Sequence, residues 1–175
     1  MNILLAFDPG VSLGYSAWDI SKYTSGDVRS ALLNRGVSKS KPKETDKDRI
    51  RRIFNLCNNL IKLYGDPGPI TVVAEDQFYL PGASVLLQRN ISNCHQVVGF
   101  LKVAFIDHPF ETVKPSDWQG GLLCGLGKMK SKEKSLLRCK QFGIRVNDHN
   151  ESDAILIGVY VLDHMRLAKR IKEAG

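Results

Sequence analysis

The chain has no stretch approaching 18 consecutive apolar residues, and no basic segment leads into its first apolar run. Neither a membrane-spanning helix nor a secretory signal is expected, so the protein is read as cytoplasmic with no membrane partner. Cysteine is scarce. Cys57, Cys94, Cys124 and Cys139 are widely spaced and form no C-x-x-C pair, which argues against a disulfide scaffold and for buried, reduced thiols. There is no internal repeat and no linker long enough to separate domains, so residues 1–175 are read as a single domain. A domain of that size buries enough surface to fold without a disulfide or metal staple. Acidic residues are also in deficit, 18 Asp+Glu against 25 Lys+Arg, for a net charge of +7. That excess suits nucleic acid or another acidic surface without deciding between them.

What is present is an alternation of short apolar runs and amphipathic stretches. Residues 3–7 form a continuous apolar run closed by Asp8-Pro9-Gly10, the pattern of a strand buried on both faces and ended by a sharp turn. Residues 14–20 and 30–37 suit two further strands in an antiparallel meander. A polar stretch follows at 39–52, with seven Lys/Arg against three acids. Ile50, Ile53, Phe54, Cys57, Leu60, Ile61 and Tyr64 then recur at helical spacing, with Thr45 and Asp48 as a capping pair. Residues 70–74 read as another buried strand running straight into Glu75-Asp76. A long helix is expected over 83–104, with Leu86, Leu87, Asn90, Ile91, Cys94, Val97, Val98 and Leu101 on its inward face. Residues 110–113 suit a short strand, and a last helix begins near Asn150. The order implies an α/β fold, a mixed sheet with helices packed on it.

Three carboxylates stand at the ends of these elements: Asp8 after the first strand, Glu75 after the fourth, and Asp153 in the first turn of the last helix. If the two strands are parallel neighbours, their carboxyl ends open onto one crevice. Carboxylates gathered there repel one another unless a cation lies between them. An all-oxygen donor set favours Mg²⁺, with Mn²⁺ as a substitute, over zinc. Two such ions could activate a water and stabilise the leaving oxygen of a phosphodiester. Each acid also has a plainer role: Asp8 as a turn residue, Glu75 as a strand-end charge, Asp153 as a complement to the helix N-terminus.

These segments resemble a known family. Asp8-Pro9-Gly10-Val11-Ser12-Leu13-Gly14-Tyr15 resembles the first, D-P-G-containing motif of RuvC-type Holliday-junction resolvases. Ala74-Glu75-Asp76-Gln77-Phe78 is similar to their second motif, an acid followed three residues later by an aromatic. Asn150-Glu151-Ser152-Asp153-Ala154 resembles the helix start that carries their last acids. The resemblance implies an RNase H-like mixed five-stranded sheet with helices on both faces and a homodimer. It also implies Mg²⁺-dependent paired nicking of four-way DNA junctions. It makes Asp8, Glu75 and Asp153 metal ligands and puts Phe78 near the junction, where it could stack on an unpaired base. Phe78 could equally be a core residue beside the strand end. Lys114 and Lys134 fall where the family has phosphate-contacting basic residues, and the run through Lys128, Lys130 and Lys132 extends that surface.

The sequence departs from the family where an Asp or His is expected three residues before the last acid; that position is Asn150. The preferred assignment takes Asn150 as the helix N-cap and His149 as fourth ligand or general base, with Asp148 and Asp76 as further candidates. The glycines at 120–121 and 125–127 lack a following G-K-[ST], so they form no Walker loop and are expected to give a mobile loop. The helix over 83–104 is the expected dimer interface, although its apolar face is equally explained as core. Two other readings stay open: a related RNase H-like nuclease acting on flaps, other branched DNA or RNA–DNA hybrids, and a non-catalytic binder of branched DNA.

Overall fold

The computed structural model describes residues 2–24, 26–65, 68–77, 82 and 84–174. In chain order the elements are β1 (Ile3–Asp8), β2 (Leu13–Asp19), α1 (Val28–Ala31), β3 (Leu32–Ser38), α2 (Asp46–Tyr64), β4 (Ile70–Glu75), α3 (Val85–Ala104), β5 (Phe110–Val113), α4 (Pro115–Leu122), α5 (Ser131–Gln141) and α6 (His149–Ala174). The five strands form one sheet in the order β3-β2-β1-β4-β5. β1, β2 and β3 are the expected antiparallel meander, while β1 with β4 and β4 with β5 run parallel.

Side chains alternate across a strand, so each strand feeds two cores. Ile3, Leu5 and Phe7 of β1, with Ile70, Val72 and Ala74 of β4, pack against Ile53, Cys57 and Leu60 of α2 and Val97, Val98 and Leu101 of α3. Leu4, Ala6 and Val73 point the other way, onto Trp118, Cys139, Ile155 and Leu156. Helices therefore cover both faces, as an RNase H-like sheet requires. By the same parity Asp8 and Glu75 belong to the second face, the one that α6 covers. The β1–β4 register pairs Phe7 with Ala74, so Asp8 and Glu75 leave their strands side by side.

The seating of α6 on β2 fixes the third acid. Ser16 Oγ donates to the carbonyl of Ala154 at 2.8 Å and accepts from Trp18 Nε1 at 2.8 Å. A Cβ on Gly14 would lie 2.0 Å from the carbonyl oxygen of Asn150, and one on Gly158 would lie 2.2 Å from Trp18 Nε1. Only glycine at both positions lets the helix lie this close to the strand. The glycine that closes the first sequence motif is thus a packing requirement of the first turn of α6.

The structure corrects several sequence expectations. The third strand is preceded by a turn of helix, because Asp27 accepts a hydrogen bond from Ser30 N and starts α1 before the chain extends. Gly120 and Gly121 are not in a mobile loop. They lie within α4, which Pro115 opens and the buried Trp118 anchors. Leu86, Leu87 and Asn90 are exposed, because the first turns of α3 overhang the core. No helix among the described residues is long and apolar enough to cross a membrane.

Candidate active site

At the carboxyl ends of β1 and β4 an open cleft of about 460 Å³ is walled by Asp8, Glu75, Asp153, His149, Asn150 and Lys132, among others. Glu75 is buried, and both its oxygens are held: Trp118 Nε1 donates to Oε2 at 2.7 Å and Gln77 Nε2 to Oε1 at 3.3 Å. Asp153 is less well served, since its buried Oδ1 has no hydrogen-bond partner among the described residues. The turn that carries Asp8 is pinned from α3, where the Cys94 thiol donates to the carbonyl of Pro9 at 3.0 Å. Burial, together with the charges of Asp8, Glu75 and Asp76, pushes that thiol up to about 12. It therefore stays a protonated donor rather than a thiolate.

All three carboxylates bind their protons more tightly than usual. Asp8 is raised well above its ordinary value, first by burial and then by repulsion from Asp153, Glu75 and Asp148. Asp153 is pushed to about 7 by burial, with Glu75 and Asp148 adding to the rise and Ser135 and Lys132 opposing it. Glu75 is raised by burial against the pull of its two hydrogen bonds. The Lys132 ammonium favours the charged forms of Asp8 and Asp153, and one countercharge does not compensate three acids.

The residues expected from the sequence separate into groups. Asp8, Glu75, Asp153 and His149 meet in the cleft. Lys132, expected on a phosphate-binding surface, is drawn into the same cleft, with Nζ 3.0 Å from His149 Nε2. An ammonium can only donate, so Nε2 is the acceptor in this contact. Asn150 is not the N-cap of α6. Asp148 is, its Oδ1 accepting from Asn150 N at 2.9 Å, while Asn150 lies inside the first turn. Asp148 also stands 3.6 Å from Lys39 and adds its charge at Asp8 and Asp153 without walling the cleft. Asp76 faces away toward α3, 3.4 Å from His95 Nε2. Lys128 and Lys130 are exposed between α4 and α5, Lys134 is half-buried on α5, and Lys114 caps α4. None of these four walls the cleft. Phe78 lies outside the described residues. Trp118, Gln77 and Cys94, which hold the acids or their turn, did not emerge as site residues from the sequence. The Lys114-Pro115 step, reading as a helix start with Trp118 on its inner face, was the available signal for the first.

Among the described residues no three His, Cys, Asp or Glu side chains form a ready-made cation cage. The donor set nevertheless fits a hard cation. It is rich in carboxylate oxygen, one oxygen of Asp153 is buried and unsatisfied, and mutual repulsion is the strain a divalent ion relieves.

No protein family's sequence pattern matches this chain, and no curated protein does. Solved structures do. The chain is similar to Thermus thermophilus RuvC in complex with Holliday junction substrate, at 20% identity over 95% of this chain and 96% of that one, with a TM-score of 0.71. It is similar to a second Thermus thermophilus RuvC structure at 20% identity, with the same shares covered and a TM-score of 0.68. The yeast mitochondrial Holliday junction resolvase Ydc2 matches at 13% identity over 91% and 77% of the two chains, with a TM-score of 0.57. The chain has the RuvC-type, RNase H-like fold.

Proposed function

We propose that the protein is a Mg²⁺-dependent endodeoxyribonuclease that resolves four-way DNA junctions by paired nicks, working as a homodimer. The observation that carries this reading is the convergence of Asp8, Glu75 and Asp153 in one cleft, all three held toward protonation and Asp153 with a buried oxygen unsatisfied. The fold it shares with junction resolvases supports the substrate class, and the +7 charge supports DNA. Two symmetric nicks need two sites in fixed relation, which is the reason for a dimer. The apolar residues left exposed at the start of α3, Val85 and Leu86, support a second copy on that side.

Asp8, Glu75 and Asp153 would hold the metal, with His149 as the fourth candidate ligand. Bound there, one or two Mg²⁺ ions would supply an activated water and charge stabilisation at the leaving oxygen. The chain's own residues set that up. Trp118 and Gln77 fix the Glu75 carboxylate, and the Ser16–Ala154 bond fixes the height of Asp153 above β2. Lys132 brings a positive charge to the place where a phosphate would sit. It also occupies the Nε2 lone pair of His149, so His149 can take a proton there only when Lys132 shifts toward the phosphate.

The test compares Mg²⁺-dependent cleavage of a four-way junction, a flap, an RNA–DNA hybrid and plain duplex. Preferential cutting of the junction at symmetric positions is expected. Preference for the flap or hybrid would contradict the resolvase reading and keep the nuclease, and junction binding without cutting would leave a binder only.

A further inference from the structure

The 39–52 segment carries seven Lys/Arg beside the cleft, and its acids are engaged within it. Glu44 takes a two-pronged ion pair from Arg52, Nε to Oε1 at 2.8 Å and Nη2 to Oε2 at 2.9 Å. Asp48 closes the α2 capping box with Thr45, and Asp46 meets Arg49 at 3.0 Å. Arg52 also donates to the carbonyl and hydroxyl of Ser38 and to the carbonyl of Val11. One side chain thus ties together the end of β3, the 40s loop and the turn that follows Asp8.

Four cations are left over: Lys47, which lines neither groove of this segment, and three that share one. Lys41, Lys43 and Arg51 are exposed, and their side chains make no hydrogen bond or ion pair among the described residues. Lys43 has φ of 60°, the only non-glycine residue among those described with a positive φ. A lysine adopts that left-handed conformation only when its surroundings impose it, and such residues gather at functional sites. Here it is the third position of a tight turn, Pro42 standing before it and Glu44 N donating to the carbonyl of Lys41 at 3.1 Å. All three cations line one groove of about 470 Å³. A narrower groove past Ser40 shares Lys41 and Lys43 with it and reaches Val11, which also walls the carboxylate cleft. Ser40 N donates to Ser12 Oγ at 3.2 Å, joining the two walls.

We propose that this groove, leaving the carboxylate cleft at Val11 and running past Ser40, Lys41 and Lys43 to Arg51, is a phosphate track that holds the backbone of one nucleic-acid arm. It rests on the nucleic-acid reading above and adds a second contact surface, apart from the lysines of α5. The track carries no base-reading groups of fixed geometry, so its contribution is independent of sequence and steeply dependent on salt.

The test is a junction-binding titration across salt concentration with Lys41→Ala/Lys43→Ala/Arg51→Ala. Its control is Lys22→Ala/Lys62→Ala/Lys102→Ala, which removes equal charge from the end of the sheet away from the cleft. The groove variant should bind at least tenfold more weakly near physiological salt. Its slope of log affinity against log salt should fall by about 2–3, at about 0.9 per lost contact. The control should bind like the wild type. A second variant, Lys43→Gly, relieves the backbone and should melt no lower than the wild type while losing about one contact's worth of slope. Equal weakening in groove variant and control would reduce the effect to bulk charge and overturn the track. Unchanged binding by the groove variant would overturn it as well, leaving the nuclease reading intact. A wild-type protein that binds no nucleic acid would overturn both.

Discussion

Two sets of carboxylates lie on either side of Val11, and the fold treats them in opposite ways. Glu75 is buried, whereas Glu44 is only partly buried, its carboxylate covered by Arg52. Glu44 has the forked guanidinium of Arg52 against it, which holds its carboxyl below the usual range. Glu75 has only an indole and an amide, neutral donors that do not offset its burial, and it is raised. Asp48, exposed and satisfied by Thr45, is lowered, whereas Asp153, its Oδ1 orphaned among the described residues, is raised to about 7, chiefly by burial. A satisfied acid belongs to the scaffold. An acid that the fold leaves uncompensated stores free energy that a ligand can release.

The sharpest way to break this contrast is to neutralise one member of each set. Asp8→Asn should lose about a thousandfold or more of junction nicking, equivalent to ~4 kcal/mol of transition-state stabilisation, while binding of the junction persists. Single-turnover cleavage and a gel-shift titration check both halves. Arg52→Ala should do the reverse. It strands Glu44 and releases the Val11 turn, costing about 3 kcal/mol of stability in denaturant unfolding. A variant equal to the wild type in stability would remove Arg52 from the scaffold.

Smaller effects sharpen the comparison within the cleft. Trp118→Phe removes the donor at 2.7 Å from Glu75 and leaves the ring's volume nearly filled. Cleavage near pH 7 should drop about tenfold, and the acid limb of the pH profile should move upward as Glu75 rises further. Loss of rate with no movement of that limb would make Trp118 a packing residue only. The smallest effect is the pH dependence of metal-free stability. A carboxyl whose folded value lies above its unfolded one keeps its proton in the fold after the unfolded chain has lost it. Stability from Asp153 is therefore fully present below about pH 4 and is lost as pH rises to about 7. The slope is at most about 1.4 kcal/mol per pH unit for that one proton. Asp153→Asn should flatten it.

Much of this arrangement was legible in the sequence, for a definite reason. An apolar run that stops abruptly at an acid marks both a buried strand and the place where its end meets solvent, so Asp8 and Glu75 could be located together with β1 and β4. The helical spacing of Ile53, Cys57 and Leu60 located α2, and the Thr45–Asp48 pair its start. Contacts distant in sequence were not legible. Trp118 is 43 positions from the carboxylate it holds, and nothing local distinguishes it from a core residue. Lys132 sat in a run of lysines, and only the packing of α5 against α6 turns it toward His149. Gly120 and Gly121 read as loop because helix propensity was set against them, yet Pro115 and the burial of Trp118 override it. Asn150 read as a cap because asparagine favours that place, but Asp148 starts the helix earlier.

The central claim is that Asp8, Glu75 and Asp153 destabilise one another until a divalent cation joins them. Thermal melting of the wild type and Asp8→Asn at pH 8, each without metal and with saturating Mg²⁺, tests it directly. Without metal the variant should melt a few degrees higher, corresponding to about 1–2 kcal/mol of relieved repulsion. Mg²⁺ should then stabilise the wild type, by about 2.7 kcal/mol at a hundredfold excess over its Kd, and leave the variant almost unmoved. A variant that melts at or below the wild type without metal, and gains as much from Mg²⁺, would contradict the claim.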